Sequence, residues 1–142
     1  MRINLSSKYV RLTLIAISLF AINACGNSQT ENVKEQDSKT FVNIDVKQCA
    51  DMIKKGDVVL LDVRTPEETA EGKIEGALEL DFYADNFEEE VLKLDRDKTY
   101  IVYCRSGGRS SSASEIMVAA GFKSVHNLKG GYTEWSESNP DD

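Results

Sequence analysis

The distribution of apolar and polar positions changes character at Phe41. Ahead of it lies one apolar block, residues 12–22 (LTLIAISLFAI), broken only by Thr13 and Ser18. A polar run, residues 26–40, follows with almost no apolar side chains. Beyond Phe41, short apolar runs take turns with helical spacings. Val46, Cys49, Ala50 and Ile53 recur at the helical period. Asp45 is placed to cap that helix with Gln48 as capping-box partner, and Gly56 ends it. Residues 58–63 (VVLLDV) are apolar apart from Asp62 and rich in β-branched side chains, the mark of a strand covered on both faces. Pro66 opens a short helix. Gly72 and Gly76 bracket a tight connection to a weaker strand, residues 77–80. Phe87, Val91, Leu92 and Leu94 predict another amphipathic helix, and residues 99–103 (TYIVY) a second buried strand. A helix from about Ser110 to Ala120 turns Ala113, Ile116, Met117 and Ala120 inward, with Gly121 as its stop. Residues 124–128 form a last short strand, and Gly130-Gly131 turns into a final helix carrying Tyr132 and Trp135. This alternation predicts one α/β domain, residues 41–138, with a mostly parallel sheet and right-handed crossovers. Residues 139–142 read as a polar tail.

The apolar block ahead of the domain has a separate meaning. Residues 1–11 are basic, and residues 12–22 fall short of the roughly 20 apolar residues that a bilayer-spanning helix needs. Together they read as a signal peptide, residues 1–24. The block closes on Ile22-Asn23-Ala24-Cys25-Gly26, which resembles the bacterial lipobox. Ala24 is the small residue before a cysteine that receives lipid, whereas Asn23 departs from the usual apolar or small residue. The expectation is an exported protein, anchored to a bacterial membrane by lipid on Cys25. Residues 25–40 would be its flexible tether.

Composition is ordinary for a globular protein of 142 residues, but charge is uneven. Arg2, Lys8 and Arg11 are the only charges in residues 1–24, and removing them takes the remainder from −7 to −10. So acidic a domain is unsuited to nucleic acid. The cysteines are Cys25, Cys49 and Cys104, with no C-x-x-C pair, and His126 is the single histidine. That set does not supply a tetrahedral zinc site, and no metal or other cofactor is implied. Cys49 lies on an apolar helical stripe and reads as a small core residue. His126, in a short strand, reads as structural.

Chemistry concentrates in Cys104-Arg105-Ser106-Gly107-Gly108-Arg109-Ser110, between a buried strand and a helix. Ligands of open α/β sheets bind outside the carboxyl ends of the strands. Gly107 and Gly108 let successive N–H groups turn inward to form an anion nest, and the helix N-terminus adds its positive dipole end. Arg105 and Arg109 add full charges. A thiol in that field is biased toward thiolate, the nucleophilic form. Alone, a Gly-Gly turn, two loop arginines or a cysteine ending a strand are unremarkable. Their coincidence at one strand-to-helix junction points to a reactive cysteine.

The loop CRSGGRS looks like the active-site loop of the rhodanese family of sulfurtransferases. The likeness extends to Leu60-Leu61-Asp62-Val63-Arg64-Thr65-Pro66-Glu67-Glu68, similar to the family's LLDVR-x-P-x-E motif. Residues 72–77 (GKIEGA) resemble its GHIPGA motif, and residues 128–135 (LKGGYTEW) its closing L-x-GG-x-x-x-W motif. Three positions depart from the pattern: Lys73 replaces a histidine, Glu75 a proline and Thr69 an aromatic residue. The resemblance implies a single rhodanese-like domain with a five-stranded parallel sheet flanked by helices. It implies that Cys104 takes sulfur from a small sulfur-containing anion such as thiosulfate, forms a persulfide, and passes the sulfur to a thiol or cyanide acceptor. A protein acceptor is compatible with the same chemistry. Arg105 and Arg109 would stabilise the anion, Ser106 and Ser110 would donate hydrogen bonds or serve as loop and cap residues, and Asp62 and Arg64 would support the strand end. A persulfide carrier or regulatory module with little turnover is a rival reading. A cysteine phosphatase or arsenate reductase is less well matched, because arginine stands five positions after Cys104 rather than six.

Overall fold

The computed structural model describes residues 40–139. The expected signal peptide, Cys25, the expected tether up to residue 39 and the last three residues of the expected tail lie outside the described residues. In chain order the elements are β1 (Val42–Ile44), α1 (Val46–Lys55), β2 (Val58–Asp62), α2 (Pro66–Ala70) and β3 (Leu78–Glu79). They continue with α3 (Phe87–Leu92), β4 (Thr99–Tyr103), α4 (Gly108–Ala119), β5 (Ser124–Leu128) and α5 (Gly131–Ser138). The strands form one sheet in the order β1-β5-β4-β2-β3, and every neighbouring pair is parallel. This is the rhodanese-like α/β architecture expected from the sequence.

The strands' period of two divides the core into two layers. Tyr100, Val102 and Cys104 join Leu61 and Val63 on one face, under Phe87 and Val91 of α3 and Ala113 and Met117 of α4. Ile101, Tyr103, Leu60 and Leu128 line the other, with Cys49 of α1 and Trp135 of α5. Cys49 is fully buried, as its place on the α1 stripe predicts. The Asp45–Gln48 capping box forms in both directions, at 2.8 and 3.0 Å.

Four expectations about the elements change. The apolar pattern does not reveal β1, an edge strand of three residues in which only Ile44 is buried. The strand expected over residues 77–80 shortens to Leu78–Glu79, and both of those residues are exposed. Leu92, expected on the apolar stripe of α3, is 52% exposed. Helix α4 starts at Gly108, two residues earlier than expected, because Gly107 takes a left-handed conformation and the chain turns directly into the helix.

The topology places the loop that matters. The chain runs outward from β2 to β3 and then returns to β4 on the other side of β2. The carboxyl ends of β2 and β4 therefore border the crevice where strand order reverses, the usual ligand site of such sheets. The segment from Cys104 to Ser110 crosses that end.

Candidate active site

Cys104 continues the inward register of β4 and is 2% exposed. Its Sγ lies 3.2 Å from the Gly107 N–H and 3.5 Å from the Ser110 Oγ. Burial alone pushes a thiol up. Here the amides of Ser110, Ser106 and Gly107, with the Ser110 hydroxyl when its proton is turned to the sulfur, outweigh burial, and the Cys104 pKa falls below that of an ordinary thiol. The N-terminus of α4 begins four residues on and adds its dipole. By contrast, the Cys49 thiol, desolvated in the core, is pushed up to about 12. The fold thus holds one thiol primed for ionisation and one kept inert.

The loop's shape depends on two close backbone approaches. Gly107 has φ +93°, and a Cβ there would stand 2.1 Å from the Lys129 carbonyl oxygen. Gly131 has φ +60°, and a Cβ there would stand 2.5 Å from the carbonyl oxygens of both Cys104 and Arg105. That clearance lets α5 begin against the loop. Tyr132 N–H donates to Cys104 O at 2.8 Å, and Thr133 donates to Arg105 O through its N–H at 3.1 Å and its hydroxyl at 2.9 Å. The closing Gly-Gly motif is therefore the loop's outer brace.

The other loop residues separate into different environments. Arg105, Ser106 and Gly108 are exposed, whereas Gly107 and Ser110 are buried. Arg109 is paired rather than free. Its guanidinium makes a fork to the Glu68 carboxylate at 2.6 and 2.7 Å and lies 5.5 Å from the centre of the Tyr83 ring. Those donated bonds hold Glu68 at about 2. Ser110 reaches beyond the sulfur: its Oγ donates to Asn127 Oδ1 at 2.6 Å.

Asp62 and Arg64 form a buried pair beside this loop. Arg64 donates to Asp62 through Nε at 3.0 Å to both oxygens and through Nη2 at 2.7 Å. It also donates to the carbonyls of Glu68 at 3.2 Å and Gly72 at 2.7 Å, and it stacks 4.1 Å from the Tyr132 ring centre. One side chain so joins β2, α2, the turn after it and the start of α5. Of the three departures, Thr69 is buried and donates to Glu79 at 2.7 Å. Lys73 pairs with the same Glu79, and Glu75 is exposed. His126 is half-buried in β5, and burial lowers its pKa.

Sequence reasoning gave no site role to Glu68, Tyr83, Thr133 or Asn127. Glu68 stands inside a recognised motif, yet its pairing with Arg109 spans 41 positions and leaves no local trace. Asn127 did carry a signal: two residues after Val125, it is a polar residue on the inward register of a strand.

The rhodanese-like domain family model matches residues 45–138. A putative mitochondrial thiosulfate sulfurtransferase of Schizosaccharomyces pombe is 34% identical over 121 residues, covering 75% of this chain and 80% of that protein. Thiosulfate sulfurtransferase GlpE of Coxiella burnetii is 36% identical over 90 residues, 63% of this chain and 82% of that protein. The crystal structure of a rhodanese-related protein from Thermoplasma volcanium aligns with a TM-score of 0.62 at 30% identity, covering 70% of this chain and 94% of that one. The chain belongs to the rhodanese-like family, among relatives named as sulfurtransferases.

Proposed function

We propose that this protein moves sulfane sulfur from a small anionic donor such as thiosulfate to a thiol or cyanide acceptor, with Cys104 carrying the sulfur as a persulfide. The observation that carries the reading is the environment of Cys104: a buried thiol with a lowered pKa, facing the Gly107 N–H and the Ser110 hydroxyl. In the first step the thiolate attacks the outer sulfur of thiosulfate. The sulfur–sulfur bond of the donor breaks, and its electron pair leaves with sulfite. The anionic outer sulfur of the persulfide then lies among the loop amides, which compensate its charge. In the second step cyanide or a thiolate attacks that outer sulfur, and the Cys104 thiolate is regenerated.

Arg105 is the exposed cation of the loop and would receive the donor's sulfonate end. Arg109, already neutralised by Glu68, would shape the mouth more than charge it. Steady-state transfer of sulfur from thiosulfate to cyanide tests the reading. Turnover by the full chain, reduced to background in Cys104→Ser, is expected; equal turnover in that variant overturns it.

The same proposal puts the protein at a membrane surface outside the cytoplasm, through lipid on Cys25. The support is the Ala24-Cys25 junction closing an apolar block of signal-peptide length. Labelled fatty acid should enter the full chain in bacterial cells and not Cys25→Ala.

A further inference from the structure

A buried polar chain leads from the reactive sulfur to the edge of the sheet. The Ser110 Oγ is 3.5 Å from Cys104 Sγ and 2.6 Å from Asn127 Oδ1. Asn127 Nδ2 in turn donates to Asn43 Oδ1 at 2.8 Å. The pairing of β1 with β5 sets Asn43 directly opposite Asn127. Ser110 and Asn127 are buried, at 0% and 3% exposure, whereas Asn43 is exposed.

Ser110 has one hydroxyl proton and two neighbours that can take it. An amide oxygen only accepts, so in this arrangement the proton points to Asn127 and the serine lone pairs face the sulfur. That direction suits a neutral thiol, which can donate. Turning both asparagine amides end for end keeps every contact but reverses every donor. Asn43 Nδ2 then donates to Asn127 Oδ1, Asn127 Nδ2 donates to Ser110 Oγ, and the serine proton turns to the sulfur. That direction suits a thiolate. No proton leaves its own heavy atom, and no buried group loses its partner.

We propose that Asn127, backed by Asn43, is a positioning residue that sets the direction of the Ser110 hydroxyl and matches it to the charge on the Cys104 sulfur. The proposal rests on the reading of Cys104 as the nucleophile. It extends that reading from the loop to β5 and β1, two strands without a residue in the loop. Arg109 of α4 is bound to Glu68 of α2, Asp62 at the end of β2 is bound to Arg64, and Arg105 belongs to the loop itself; Glu115 of α4, Glu67 of α2 and Glu88 and Glu89 of α3 are exposed, and Glu90 of α3 pairs with Lys93. His126, next to Asn127 in β5, alternates to the other face of the sheet.

The exposed end of the chain allows a mild test. Asn43→Asp offers acceptors only, which holds the Asn127 amide as observed and keeps the serine proton away from the sulfur. Asn43→Lys offers donors only and holds the reverse. The measurement is the pH dependence of iodoacetamide alkylation at Cys104, read by peptide mass spectrometry in the full chain. Each variant is prepared with and without Ser110→Ala. The thiol pKa should rise by about one unit in Asn43→Asp and fall comparably in Asn43→Lys, a roughly tenfold change in thiolate at pH values below the pKa. Both shifts should vanish when Ser110 is alanine. Simple charge effects would have the same signs but persist in the Ser110→Ala background. A role limited to pinning β1 would lower thermal stability without moving the pKa. Either result overturns the proposal. Alkylation needs no sulfur donor, so the two readings fail separately. Wild-type turnover with no pKa shifts sinks only this one, and shifts without any sulfur transfer sink only the enzymatic one.

Discussion

Gly107 and Gly108 are adjacent in one loop, yet alanine should affect them with opposite sign. At Gly107, φ of +93° disfavours any L side chain, and the new Cβ would meet the Lys129 carbonyl oxygen at 2.1 Å and its carbon at 2.9 Å. Both obstacles are backbone and cannot rotate away, so the loop and the β5–α5 connection must part. The left-handed conformation costs about 1 kcal/mol and the forced separation about 1–3 kcal/mol. A loss near 3 kcal/mol corresponds to a melting temperature lower by roughly 10–20 °C for a domain of about 100 residues. Moving Gly107 also withdraws its N–H from Cys104 Sγ, now 3.2 Å away, so the thiol pKa should rise. At Gly108, the first residue of α4, nothing lies within 4 Å of a new Cβ. There alanine removes unfolded-state freedom at no steric cost and should stabilise by about 0.5 kcal/mol. Calorimetry of both variants, with alkylation of Cys104 against pH, separates them. A Gly107→Ala protein as stable as wild type, with an unchanged thiol pKa, would refute the claim that this close approach shapes the nucleophile's cradle.

Three other perturbations follow from the same geometry. Arg64→Leu strands the Asp62 carboxylate, which is 0% exposed, and should cost about 3–5 kcal/mol in urea unfolding; the double variant with Asp62→Leu should recover part of that loss. Cys49→Ala should cost about 1–2 kcal/mol through the small cavity it leaves and should not alter sulfur transfer, and native Cys49 should resist alkylation at pH 8. Acid should destabilise the fold in two ranges. His126 is held below its ordinary 6.5 by burial, so the unfolded chain takes up a proton first and stability starts to fall below about pH 6.5. Glu68, lowered from 4.5 to about 2 mainly by the Arg109 hydrogen bonds, adds stability that is complete above pH 4.5 and lost as pH falls toward 2. Glu68→Gln should remove that second component from the pH–stability profile.

The elements that were legible in the sequence are those whose burial leaves a period. β2 and β4 are covered on both faces and read as unbroken apolar runs, and α1 declares itself through Asp45, Gln48 and Gly56. β1 was not legible, because an edge strand with one buried residue has neither a run nor an alternation. Leu92 misled for the opposite reason: it fits the helical spacing of α3, but it lines an open groove with Ile116, Ala119 and Ala120 and stays 52% exposed. For the site, the cysteine and the two loop glycines were readable, and the start of α4 to within two residues, since they lie within seven consecutive residues. The groups that modify them were not. Glu68 meets Arg109 from another helix, and Asn127 meets Ser110 from another strand, pairings that only the sheet order brings about.

The central claim is that Cys104 carries the sulfur in transit. The direct measurement is the mass of the full chain after brief treatment with thiosulfate and removal of the excess. The account predicts a gain of one sulfur atom, located on the peptide containing Cys104, absent in Cys104→Ser and discharged by cyanide with release of thiocyanate. No mass gain in a folded protein, or a sulfur found on Cys49 or Cys25 instead, would contradict it.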